Sequence, residues 1–357
     1  MKLLKSVITL GLALSVLAWA EPSQAGIGKS GITGGAFLKI GVGARAVALG
    51  SAYTSVSGDA NQLFWNPAGI TLAEGRTQVA VNYNAWIADL GHNAVGVTRG
   101  FGGIGTLGIG IVNLSLSGID NGSGLDRDVV PGFLDDTYTG FRDGGSGEYD
   151  YSDVALQLTW ARDVTNRLAL GATGKYISQD IDGVTASAFA LDFGALYKLG
   201  YKNATIGARL NNLGGDLEFY NIGAPLPLIF SIGGAIDLYD DPDSGIRVTL
   251  LSDATKPQDG DQLLFSAAEV QVFNMLSLRG GYKFNYSGVD DDKIDKASGL
   301  PVTHTRYIGD APRTEEGLTF GAGVNVPLGG FDTIVDYAYT DFGILDSVHR
   351  VSLQLQF

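Results

Sequence analysis

The sequence has no cysteine and only three histidines, and both shortages exclude chemistry from the outset. Without cysteine there is no disulfide, no thiolate metal site and no thiol for lipoprotein acylation; the redox compartment stays undetermined on this ground alone. His92, His304 and His349 are far apart, and no local motif sets a base within hydrogen-bond reach of a nucleophile, so neither an enzyme nor a cofactor is expected. Charge is scarce too. Charged residues make up 17% of the chain, with 24 Lys and Arg against 38 Asp and Glu, a net charge of −14. Nothing offers a basic groove for phosphates, which argues against a nucleic-acid partner. After residue 20 no apolar run is long enough to cross a bilayer as a helix.

Two apparent motifs fail on context. Gly103-x-Gly105-x-x-Gly108 has the letters of a dinucleotide fingerprint, but a strand pattern runs straight through it where a helix should begin. Asp135-Asp136, Asp240-Asp241-Pro242-Asp243 and Asp290-Asp291-Asp292 lack EF-hand spacing with its distal Glu. They read as solvated loop acids, with an external divalent cation left as the alternative; no metal centre is expected.

What the chain has in abundance is glycine, 52 in 357 residues, spread among aromatic and β-branched residues. That mixture suits many extended strands. Residues 1–25 read as a secretory signal: Lys2 and Lys5, an apolar core over Val7–Ala18, then small-residue cleavage sites at Ala18-Trp19-Ala20 or Ser23-Gln24-Ala25. Residues 26–76 read as a separate N-terminal segment. From Thr77 to residue 357, fourteen segments of about ten residues alternate with period two. Leu168, Leu170, Ala172 and Tyr176 oppose Thr173 and Lys175; Leu276, Leu278, Tyr282 and Phe284 oppose Ser277, Arg279 and Lys283.

Alternation alone fits any half-buried sheet, but ten-residue strands match a tilted bilayer crossing of ~9–11 residues. Connections also alternate, short at 100–103, 161–166, 199–203, 239–245, 273–275 and 326–330, long and acidic at 117–150 and 286–316. These features predict an all-β fold: a transmembrane outer-membrane β-barrel of about 14 antiparallel strands. Its N- and C-termini would be periplasmic, on the short-turn side, its acidic loops extracellular and its outer face against outer-membrane lipid. Closure leaves no unpaired backbone edge in lipid. Trp160, Tyr176, Tyr197, Tyr282, Tyr337 and Tyr339 suit the interfacial girdles. Lumen-side charges (Lys175, Asp192, Arg209, Asp237, Arg247, Glu269, Arg279, Lys283, Asp336 and Arg350) are of mixed sign and are expected to pair with one another or hold a plug.

The plug is expected at residues 57–70. Asp59 or Ser57 can cap a short helix through Ala60–Trp65, Pro67 stops it at Asn66, and Asn66 caps a second turn with Pro67 first and Gly69 releasing the chain. Leu63, Phe64 and Trp65 would pack apolar surface in the lumen, and Asn66 would bond to wall charges. The third strand carries an anomaly. Its apolar positions are Leu107, Ile109 and Ile111, then Val112, Leu114 and Leu116, a slip of one residue after several glycines. A slip turns every side chain to the other face unless the chain bulges. The reading is either a tolerated bulge or a lateral opening in the wall at Gly108, Gly110, Ile111 and Val112.

The stretches Gly35-Ala36-Phe37-Leu38-Lys39-Ile40-Gly41-Val42-Gly43-Ala44-Arg45-Ala46, Gly50-Ser51-Ala52-Tyr53, Asp59-Ala60 and Trp65-Asn66-Pro67-Ala68-Gly69, with the ending from His349 to Phe357, resemble the PorV/PorQ family of outer-membrane proteins. That family is similar to the FadL channels, which share an Asn-Pro-Ala plug motif, a fourteen-strand barrel and a kinked third strand. The resemblance implies two function classes. One is a type IX secretion component, binding the C-terminal signal domain of cargo proteins and passing them between secretion-system partners. The other is a FadL-like transporter of hydrophobic ligands such as fatty acids through a plugged lumen and a lateral opening. Eight acids and two arginines over 117–150 favour a basic partner surface; a transporter should show an apolar cleft of a few hundred Å³ between loops and plug.

Overall fold

The computed structural model describes residues 32–120, 148–260, 262–284, 317–342 and 345–357. The expected signal sequence at residues 1–25, most of both acidic segments, His304 and the aspartates at 135–136 and 290–292 lie outside them. Sixteen strands follow one another: β1 (Thr77–Ala85), β2 (Gly91–Gly100), β3 (Thr106–Asp120), β4 (Glu148–Asp163), β5 (Leu168–Ile181), β6 (Val184–Lys198), β7 (Thr205–Gly214), β8 (Asp216–Phe219), β9 (Ile222–Pro225), β10 (Ile229–Asp241), β11 (Ile246–Pro257), β12 (Leu263–Val272), β13 (Leu276–Phe284), β14 (Leu318–Leu328), β15 (Phe331–Asp341) and β16 (Ser347–Gln356). All but β8 and β9 form one antiparallel barrel of fourteen strands, closed where β1 pairs with β16. β8 and β9 make a hairpin of their own.

The alternation seen in the sequence becomes burial. In β5, Ala169, Gly171, Thr173, Lys175 and Ile177 are buried towards the lumen while Leu170, Gly174 and Tyr176 are exposed outside. Outward aromatics pair across strands, Tyr176 with Phe189 at 5.3 Å between ring centroids and Tyr282 with Phe284 at 4.7 Å. One rim carries only short turns, at 101–105, 164–167, 199–204, 242–245, 273–275 and 329–330; the longer connections are at the other. The barrel is uneven at that long-loop rim. β3 to β6 run 14–16 residues while β1, β2 and β7 run 9–10, so four strands rise together above their neighbours.

Residues 32–76 fill the lumen with short turns: 3-10 turns at Ala36–Lys39, Ala60–Phe64 and Pro67–Ile70, and one α-helical turn, α1 (Ala44–Ala48). The Gly34 N–H donates to the Pro225 carbonyl at 3.0 Å, on the long-loop side, while Leu72 and Gly75 bond Thr106 and Gly100 at the short-turn rim. The segment thus passes down through the barrel, with Gly34 and the C-terminal Phe357 at opposite rims.

Candidate functional site

The plug turns are capped as their residue types dictate. The Asp59 side chain accepts from the Asn61 N–H at 2.8 Å, and the Asn66 side chain accepts from Ala68 at 3.1 Å with Pro67 at the first position. Trp65 donates from its indole to the Val42 carbonyl at 2.8 Å and lies under the Arg209 guanidinium of the wall, 5.1 Å from the ring. Asn66 is fully buried. Its amide donates to the Thr54 carbonyl at 2.7 Å and the Ala195 carbonyl of β6 at 3.3 Å. It therefore binds backbone carbonyls, not the wall charges expected. A carbonyl of fixed direction locates an amide as well as a charge does and brings no desolvated ion.

Wall glycines make this fit possible. A Cβ built on Gly194 would strike the Asn66 side chain and stand 2.9 Å from Pro67; one on Gly171 would meet the Pro67 and Ala68 backbone. Gly96 and Gly108 leave room for Leu63, Gly207 for the Thr54 carbonyl, Gly281 for Leu49 and Gly50, and Gly321 for Ala48. Sequence reasoning missed this set. The available signal was glycine recurring at inward positions, as at Gly171 between Ala169 and Thr173.

Charged groups form one layer. The Arg45 guanidinium of α1 grips Glu269 of β12 with two bonds of 3.1 and 2.9 Å and reaches Asp59 at 3.3 Å. Arg279 of β13 bonds the same Glu269 and Asp336 of β15, both at 2.6 Å. A polar cavity of about 80 Å³ adjoins this network and extends past Gln271 and Ser277 towards the short-turn rim. Lys175 pairs with Asp192 at 2.7 Å on the opposite wall.

On the long-loop side the lumen is apolar along one wall. Val112 and Leu114 of β3, Ala155 of β4, Ile177 of β5 and Ala186, Ala188 and Ala190 of β6 are buried in one cluster with Phe37, Leu217 of β8 and Leu226. A buried polar chain borders it: Asp153 accepts from Gln179 at 2.8 Å, and Gln179 accepts from the Gly35 N–H at 3.1 Å. Phe37 and Leu217 pack against this wall, where a transporter was expected to show an apolar cleft of a few hundred Å³.

This explains and corrects the slip in the third strand. β3 is in unbroken register with β2 from Thr106 to Ser115 and with β4 from Thr106 to Leu116; its register shift falls later, between Leu116 and Ile119. Alternation continues unchanged, with Ile111 outward and Val112 and Leu114 buried inward. Apolar residues on both faces, and not a bulge, produced the apparent slip. Gly108, Gly110, Ile111 and Val112 lie in closed ladder, and the two glycines face the plug residues Leu63 and Phe64.

No family model matches the chain, and no curated protein does. Solved structures do. The deltaS2S3 mutant of the monoaromatic hydrocarbon channel TodX superposes with a TM-score of 0.54 at 13% identity, covering 88% of this chain and 98% of that one. The toluene transporter TodX of Pseudomonas putida gives 0.52 at 12% identity, with 87% and 96% covered. The toluene transporter TbuX of Ralstonia pickettii gives 0.50 at 12% identity, with 88% and 97% covered. These structures share the fold of this chain, a closed antiparallel barrel of fourteen strands, and they are described as channels and transporters.

Proposed function

We propose that the chain is an outer-membrane channel protein for hydrophobic small molecules of about the size of one aromatic ring. The observation that carries this reading is the apolar wall on the long-loop side, lined by Val112, Leu114, Ile177 and the alanines of β6. Phe37 is inserted against that wall, and its benzyl group has the size and polarity of toluene. Burying such a ring contributes roughly 1.5–3 kcal/mol, so a monoaromatic ligand replacing Phe37 exchanges like for like. The polar hold that must also be released comprises Thr33 and Lys39 on Asp259, the Gly34 N–H on the Pro225 carbonyl and the Gly35 N–H on Gln179. Lys39 meets Asp259 at 2.7 Å, but Lys39 is more than a third exposed, and such a pair is worth about 0–1 kcal/mol.

The secretion role has behind it the motif resemblance over residues 35–69, the chain ending and the acidic composition of 117–150; the fold likeness adds nothing to it. The test is uptake of radiolabelled toluene by cells expressing this chain in place of their own hydrophobic-compound channel. Uptake several-fold above vector controls is expected. Equal rates with folded, heat-modifiable barrel present would overturn the proposal, and recovery of proteins sharing a C-terminal β-sandwich domain in a mild-detergent pull-down would then favour the secretion role.

A further inference from the structure

We propose that one sector of the short-turn rim docks the phosphate head groups of anionic phospholipid. The sector covers three neighbouring turns, β2–β3 (101–105), β4–β5 (164–167) and β6–β7 (199–204), and its cations are Arg99, Arg162 and Arg167. All three arginines are exposed. Among the described residues, no carboxylate lies within ion-pairing distance of any of them. Arg247, beside the β10–β11 turn, differs: it reaches Asp240 at 3.2 Å and Asp237 at 3.7 Å.

Strand register gives the direction in which these charges stand. Arg99 is opposite Leu107, Leu107 is opposite Trp160, and Arg162 is opposite Leu170. Leu107, Trp160 and Leu170 are exposed on the outer face, so Arg99 and Arg162 stand on that face at the ends of their strands. Asp163, the acid between Arg162 and Arg167, is opposite Ala169 instead, in a row buried towards the lumen. The arginines also bridge the turns. A Cβ built on Gly105 would come within 3.1 Å of Arg162, and one on Gly200 within 3.4 Å of Arg167.

Apolar groups surround the charges. Ile104 is 64% exposed at the tip of the β2–β3 turn, and Val164, Leu199 and Tyr201 are exposed in or beside the other two. The Arg99 guanidinium lies 5.9 Å from the Phe101 ring, and Trp160 donates its indole N–H to the Ile104 carbonyl at 2.9 Å. Turn tips of this kind gain nothing in water. At a bilayer interface the aromatic and aliphatic groups enter the head-group region, and the arginine stems lie along them with the guanidinium at phosphate level. Guanidinium binds phosphate through paired N–H bonds, which fits three arginines left without a carboxylate. A soluble acidic protein would match the charge but not its position on the lipid face. The next turn along the rim, β10–β11, carries Asp240, Asp241 and Asp243 and bounds the sector on that side.

The experiment places the full-length protein in phosphatidylcholine vesicles containing a minor fraction of phosphatidylglycerol. Bromine is carried on the acyl chains either of the phosphatidylglycerol or of an equal amount of phosphatidylcholine. Bromine quenches tryptophan only at short range, and Trp160 stands on the outer face two residues from Arg162. The quenching that disappears in Trp160→Phe is the signal. Brominated phosphatidylglycerol is expected to quench Trp160 several-fold more than brominated phosphatidylcholine at low salt, an excess that falls as salt rises. The triple variant R99Q/R162Q/R167Q, in heat-modifiable folded form, should lose the excess, and Arg247→Gln should keep it. Should the triple variant not fold, R99Q and R162Q singly should each reduce the excess. Equal quenching by the two lipids in the wild type, or an undiminished excess in the folded arginine variants, would overturn the proposal. Loss of the excess on adding inorganic phosphate at constant ionic strength would assign the arginines to free phosphate and overturn it too.

Discussion

Gly194 and Gly174 stand on adjacent strands with opposite surroundings. A Cβ on Gly194 would collide with Asn66 and crowd Pro67, whereas one on Gly174 meets nothing within 4 Å. Neither Gly194 nor Gly174 has positive φ, so what separates them is space alone. Overpacking a closely fitted site costs typically about 1–3 kcal/mol. Gly194→Ala is therefore expected to lower the thermal midpoint of the detergent-solubilised protein by several degrees, and Gly174→Ala to leave it within error. Thermal scans of the two variants, side by side, decide; equal midpoints would mean that the plug yields at Asn66 and that the close approach is not what holds it. These contacts could not be read from the chain. Which wall glycine meets which plug residue depends on a packing between segments distant in sequence, 33 residues for Gly96 and Leu63 and 128 for Gly194 and Asn66. The caps at Asp59 and Asn66 were legible because a cap involves residues two positions away.

Among the elements, the segment from Thr33 to Ile40 has the most to lose from a single change. It crosses the long-loop mouth with Phe37 inserted, and Asp259, in the turn between β11 and β12, accepts from both Thr33 and Lys39. Burial alone would raise the Asp259 carboxyl, but the Lys39 and Thr33 hydrogen bonds and the Lys39 charge outweigh it and hold its pKa below the usual value. A depressed carboxylate stabilises above its ordinary pKa of about 3.9 and loses that contribution as pH falls through the lower native value. The segment should thus stay anchored throughout the neutral range and loosen only in strong acid, with backbone amide exchange at Leu38 and Ile40, corrected for intrinsic rates, rising only there. Asp259→Asn should release it at pH 7, making tryptic cleavage after Lys39 several-fold faster than in the wild type; unchanged cleavage would show that Phe37 alone anchors the segment. Elements were the scale at which the sequence was most legible. Fourteen strands follow from alternation that one face buried against a plug and one face outside must produce. β3 misled because its apolar face changes sides: Leu107, Ile109 and Ile111 are outward, whereas Val112 and Leu114 are inward with Asn113 and Ser115 outward.

The whole molecule is a barrel of a size that needs filling. Eight strands enclose an interior that side chains can fill, whereas sixteen to eighteen leave an aqueous channel; fourteen strands lie nearer the second case. Here α1 and the two capped turns supply the missing filling, sealed to the wall by inward glycines and by the Arg45–Glu269 clamp. Beside the clamp lies a polar cavity of about 80 Å³, room for a few water molecules. The wild-type protein in a planar bilayer is expected to carry no steady ionic current. Deleting Ala36–Ile70 should convert it to a steadily conducting pore, provided heat-modifiable mobility shows that the barrel has formed. Gly194→Val, which leaves every plug residue present and only displaces Asn66 and Pro67, should give intermittent openings of smaller size. Steady current through the wild type, or none through a folded barrel lacking the plug, would each refute the view that residues 36–70 are what closes the lumen.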